Sequence, residues 1–109
     1  VTKVTEDMER IADKAKSFHI KLFDDELNVT FYKNHKDNAV ARYGKCDLYF
    51  NTAHLSQKWF NWEVNKEDIM ALIIHEFGHW YTGDHLSSSY NDALCKIGAK
   101  LYLLEQKCN

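Results

Sequence analysis

Apolar residues near the start of the chain recur at steps of three and four: Val4, Met8, Ile11, Ala15, Phe18 and Leu22. That spacing lines up one apolar stripe on a helix, so an amphipathic helix covering a sheet is expected. The pattern then changes. Segments 27–33, 39–45 and 47–51 are rich in β-branched and aromatic residues and are separated by the turn formers Asn34, Lys36, Asp37 and Gly44. They predict three strands, as two hairpins or a meander, and so a small antiparallel sheet. Segment 52–62 is mixed and aromatic, and reads as a short helical or irregular connection that packs Trp59, Phe60 and Trp62 inward. Asn65 suits an N-cap, with Glu67 and Asp68 in the first turn, for a helix running to about Thr82, after which Gly83 lets the chain turn. Tyr90, Leu94, Ile97, Leu101 and Leu104 share one face of a last helix over about 88–106. Helix, three strands, helix, helix makes an α+β fold, expected as one domain over 1–109.

Composition narrows the function classes. A chain of 109 residues has room for one core, and a 45% hydrophobic, 14% aromatic composition supplies it. Fourteen basic against sixteen acidic residues leave a formal charge of −2, which draws the protein toward neither nucleic acid nor an anionic membrane. The longest apolar run, 69–74, is far too short to cross a bilayer, and the polar start VTKVTEDMER is unlike a secretory signal. Residue 1 is Val, which leaves room for a removed methionine or leader. Cys46, Cys95 and Cys108 are odd in number and lack C-x-x-C spacing, so they predict reduced thiols rather than a disulfide framework or thiolate zinc site. The expectation is a soluble, cytoplasmic, monomeric protein with no membrane partner.

The chemistry lies in His75-Glu76-Phe77-Gly78-His79-Trp80-Tyr81-Thr82-Gly83-Asp84-His85. H-E-x-x-H on a helix places two imidazoles on one face, with Cβ atoms about 5–6 Å apart, within reach of one zinc ion. Glu76 beside the first ligand is the expected general base that takes a proton from the metal-activated water. Zinc would lower the pKa of that water and polarise a scissile carbonyl. Catalytic zinc takes three protein ligands and keeps one open position. His85, just past Gly83, is the expected third; Glu105 and Asp92 are the carboxylate alternatives.

The segment IIHEFGHWYTGDH resembles the active-site segment of the SprT-like and WLM zinc metallopeptidases and of the related YgjP-like group. The WLM pattern H-E-x-x-H-x-x-x-G-x-H aligns without a gap on His75, Glu76, His79, Gly83 and His85, and segment 41–51, ending in Asn51, looks like the SprT-like hairpin before the active-site helix. Metzincin membership is excluded, because Thr82 stands where a glycine is needed and Met8 and Met70 both lie upstream. The resemblance implies a minimal zincin-like α+β peptidase, a Zn2+ cofactor, and a protein or peptide substrate lying along an edge strand. Nucleic acid enters by kinship alone and the charge balance does not support it. A catalytically inactive, zinc-stabilised binding domain of the same fold is the alternative.

Other residues receive smaller roles. Tyr43, Tyr81 and Tyr90 are candidate oxyanion donors, with Tyr90 preferred. Asp84 is a candidate to orient an imidazole. His19, His35 and His54 lack partners at ligand spacing and read as surface or hydrogen-bonded residues, Trp80 as core or cleft wall, and Lys96, Lys100 and Lys107 as a solvated helix face.

Overall fold

Thr5 opens the first helix: its hydroxyl accepts from the Met8 amide at 3.2 Å, and the Met8 sulfur accepts in return from the Thr5 amide. Helix α1 (Glu6–Phe23) carries Glu6, Asp7 and Glu9 in its first turn, where the helix dipole favours negative charge, and ends at Asp24 in the left-handed region. In this computed structural model the described residues are 3–81 and 88–108, with side chains for 3–81 and 89–105. The stripe expected for α1 is buried from Met8 to Leu22, and Val4 precedes the helix, exposed.

Strands β1 (Asn28–Tyr32), β2 (Ala41–Gly44) and β3 (Asp47–Asn51) form one sheet in the order β1-β3-β2. β2 pairs antiparallel with β3, from Ala41 opposite Phe50 to Gly44 opposite Asp47. β1 pairs parallel with β3, from Asn28 opposite Asp47 to Tyr32 opposite Asn51. The sheet is therefore mixed, not antiparallel, and the meander and paired-hairpin readings are corrected. The cause is burial: Leu48 and Phe50 on β3 are fully buried, which gives β3 the centre and leaves β1 and β2 as edges. Lys45 and Cys46, at φ 53° and 64°, make the tight β2–β3 turn, in a conformation that non-glycine residues adopt at some cost.

The loop between β1 and β2 hangs on one side chain. Asn51 is fully buried; its Nδ2 donates to the carbonyls of Asn34, Asp37 and Ala39, and its Oδ1 accepts from the amides of Asn34 and Ala53. Asp37 ties the same loop to β2, accepting from Arg42 at 2.8 Å, the Ala39 amide at 2.9 Å and the Tyr32 hydroxyl at 2.8 Å. These bonds, the Arg42 guanidinium first, hold its carboxyl well below the usual carboxylate range. A depressed pKa contributes stability that is present above the unfolded value, near 4, and is lost as pH falls through the folded one. Asp37→Asn is expected to flatten the acid side of a urea-midpoint profile recorded from pH 5 to about pH 2. An acid limb as steep as that of the wild type would refute the assignment.

The expected irregular connection is a 3₁₀ turn, Gln57–Phe60, capped by Ser56; it buries Phe60 and half-buries Trp59 and Trp62. Helix α2 (Trp62–Phe77) starts earlier than expected, with Asn61 as the cap accepting from the Glu63 amide. Asn65, the expected cap, sits inside α2 at a non-helical residue (φ −118°, ψ 20°), and its amide donates back to the carbonyls of Lys58 and Trp59. It fastens the 3₁₀ turn to the helix rather than starting the helix. Ile69, Ile73 and Phe77 enter the core that α2 shares with Ile11, Phe18, Phe50 and Ile97, each worth about 1.5–3 kcal/mol when fully buried.

α2 ends at Phe77, short of the expected Thr82, and tightens into a 3₁₀ turn over Gly78–Trp80. Helix α3 (Ser88–Cys108) presses on that turn, burying Tyr90, Ala93 and Ile97 on the expected face. A Cβ on Gly78 would lie 2.7 Å from Tyr90 Cε1, so this close approach requires glycine. Cys46 and Cys95 are free thiols; the Cys108 side chain is outside the described set. Among the described residues no helix is long and apolar enough to cross a membrane.

Candidate functional site

His75 and Glu76 lie in the last turn of α2, and His79 in the 3₁₀ turn that continues it. The tightened backbone still keeps the two imidazoles together: their ring centroids are 5.9 Å apart and their planes nearly perpendicular, at 89°. The His75 side chain is 48% exposed, whereas Glu76 is buried, with its Oε2 3.9 Å from His75 Nε2. Burial, opposed in part by the Arg42 charge, pushes the Glu76 carboxyl up to about 7. A carboxyl group with a pKa near neutrality can take up or release a proton at neutral pH.

Tyr90 fixes the orientation of His75. Its hydroxyl donates to the His75 carbonyl at 2.6 Å and lies 3.0 Å from His75 Nδ1. With the phenolic hydrogen given to the carbonyl, Nδ1 carries the ring proton and donates to the tyrosine oxygen, so Nε2 holds the lone pair. Metal-ligating histidines are oriented in this way through their second nitrogen. Burial, and then the Glu76 charge, raise the Tyr90 pKa, which keeps the phenol neutral.

A groove of about 620 Å³ opens beside these residues, walled by Ala39, Val40, Ala41, Arg42 and Tyr43 and floored by Leu72, His75, Glu76 and His79. Its wall is β2 and the residues leading into it, and β2 is an edge strand. Backbone groups on a sheet edge can pair with an extended peptide.

The donor set fits zinc as far as it is described: two imidazoles side by side, one with its tautomer set, and a carboxylate just behind. His85, Gly83 and Asp84 lie outside the described residues. Among the described residues no His, Cys, Asp or Glu joins His75 and His79 to complete a group of three. Asp92 and Glu105 therefore do not close the site. Asp92 is on an exposed position of α3, and Glu105 lines a different groove, with Glu6, Trp62 and Leu101.

The three tyrosines separate by partner. Tyr90 bonds His75, Tyr81 accepts from Lys100 Nζ at 3.3 Å, and Tyr43 bonds His19 at 2.7 Å. Trp80, 40% exposed, stacks on Phe23 with centroids 4.3 Å apart. Of the remaining histidines His35 and His54 are exposed, whereas His19 is fully buried. Lys100 does not merely solvate α3: it donates to the Leu22 carbonyl, and Lys96 lies over the Tyr81 ring. Lys107 is outside the described side chains. Reasoning from sequence missed Asn51 as a loop anchor and Tyr90 as the partner of His75. The aromatic's place shortly after the histidine segment was the available signal for Tyr90.

Compared with known proteins, the chain matches no family model, no curated protein and no solved structure.

Proposed function

We propose that this protein is a zinc metallopeptidase of the SprT-like, WLM and YgjP-like kind, with His75, His79 and His85 as ligands and Glu76 as general base. One observation carries the reading: two adjoining imidazoles and a buried carboxylate lie on the floor of a groove whose wall is a sheet edge. When bound there, zinc supplies Lewis acidity, polarising a carbonyl and acidifying water. The chain supplies the rest. β2 holds an extended peptide by backbone pairing, which brings the scissile carbonyl over His75 and His79. Glu76 takes the proton from the attacking water and delivers it to the departing amine, so no covalent intermediate with the protein is required. Tyr90 keeps His75 Nε2 directed into the groove.

Metal analysis tests the reading. Purified protein is expected to hold one zinc per chain and to cleave unfolded casein. His79→Ala and His85→Ala are each expected to bring zinc below about a tenth of an equivalent after dialysis, since removing one of three ligands strips a catalytic site. Full zinc retention in His85→Ala, with His79→Ala depleted, would remove residue 85 from the ligand set. Full zinc content with no cleavage of any unfolded protein would favour the inactive binding domain.

A further inference from the structure

His19 is a histidine that the proposed chemistry does not use, yet it is among the most deeply buried polar residues described. It is fully buried; Nδ1 lies 2.8 Å from the Asp25 carbonyl and Nε2 lies 2.7 Å from the Tyr43 hydroxyl. The carbonyl can only accept, so Nδ1 carries the proton, Nε2 accepts, and the Tyr43 hydroxyl donates to it. The ring is fixed further by edge-on contacts with Phe23, Phe77 and Trp80. A leucine or phenylalanine would fill such a place without burying two polar nitrogens. What the imidazole adds is direction.

The bonds of His19 join two elements that are distant in sequence, and Asp25 also accepts from Cys46 in the turn that follows β2. Asp25 follows the end of α1, which packs over β1, one edge of the sheet. Tyr43 belongs to β2, the opposite edge and the wall of the histidine groove. β2 is only four residues long, and its inward side chains, opposite Phe50 and Leu48, are Ala41 and Tyr43. Ala41 is small, so within β2 itself Tyr43 is the larger side chain on the core side, while Asn51 holds the residues that lead into the strand through the Ala39 and Val40 carbonyls. We infer that His19 is a positioning residue: through the Tyr43 hydroxyl it sets the placement of β2 relative to His75 and His79, and hence the pairing of a peptide substrate with that edge.

The inference rests on the peptidase reading and is tested so that the two fail separately. In zinc-loaded protein, Tyr43→Phe removes one oxygen and His19→Leu removes the acceptor. Each is expected to raise KM for labelled casein by about tenfold, with kcat within about twofold and zinc content unchanged. The double variant should be no worse than either single one, because both break the same bond. His19→Gln, whose amide oxygen can accept from the phenol, should recover most of the loss. A second readout needs no turnover: amide exchange in Ala41–Gly44 should accelerate by about tenfold in Tyr43→Phe, with exchange in α2 unchanged. Unchanged KM and unchanged β2 exchange in folded Tyr43→Phe would overturn the inference, as would a uniform loss of protection with KM unaltered. If the wild type holds no zinc or cleaves nothing, the peptidase reading fails, and the exchange experiment still decides whether His19 positions β2.

Discussion

Glu76→Gln is expected to keep its full equivalent of zinc and to lose cleavage by about a thousandfold, within the range of 10²–10⁴ for general acid–base groups. The replacement is close to isosteric, and the imidazoles of His75 and His79 are untouched, so metal affinity should not fall. What disappears is a buried carboxylate, its pKa raised by desolvation, that can take up and release a proton. An amide in the same place can do neither. The experiment pairs elemental analysis with casein turnover on a single preparation. Turnover within tenfold of wild type would show that another group accepts the proton. Lost zinc would instead show that the Glu76 carboxylate belongs among the ligands.

The largest stability effect is expected at Asn51. Its amide group makes five hydrogen bonds in the interior, reaching the backbone at residues 34, 37, 39 and 53. Asn51→Ala removes all five bonds; the Asn34 and Asp37 carbonyls keep the Asp37 amide and His54 as donors, so at roughly 1–3 kcal/mol for each remaining group that stays dry the loss is on the order of 3 kcal/mol. Asn51→Asp is the more telling variant. An ionised carboxylate would face the carbonyls of Asn34, Asp37 and Ala39 where an NH₂ donor now stands. Its folded pKa would be raised, so its stability should be greatest below about pH 4 and fall as pH rises. Chemical denaturation at pH 4 and pH 7 checks both variants. A cost below about 1 kcal/mol for Asn51→Ala would show that the loop stands without its anchor.

How far the sequence reveals this fold depends on what each pattern encodes. The period of three and four in α1 and α3 reports one buried face, and Met8, Ile11, Phe18 and Ile97 are all in the core. Aromatic and apolar enrichment in 47–51, bounded by a turn former at Gly44, likewise locates β3 to the residue. Composition does not say which strand lies next to which, and the mixed sheet was missed because neighbours follow from the relative burial of whole strands. The two asparagines near the start of α2 show a similar limit. Asn61 and Asn65 have equal capping ability, and the difference lies in Lys58 and Trp59, whose carbonyls Asn65 reaches only after the 3₁₀ turn has formed. His75, Glu76 and His79 were legible because their spacing is a local helical property. Tyr90 was legible as a residue of the buried face of α3 and a candidate oxyanion donor, but not as the partner of His75, since that bond depends on how closely α3 passes Gly78.

The placement of β3 between β1 and β2 gives its two pairings very different loop lengths. β2 and β3 are joined by a two-residue turn, and such a hairpin closes in microseconds. β1 pairs with β3 across nineteen positions, Asn28 against Asp47. Parallel pairing across that separation carries the larger loop-closure entropy. Loop closure therefore favours forming the groove wall before the far edge of the sheet is added.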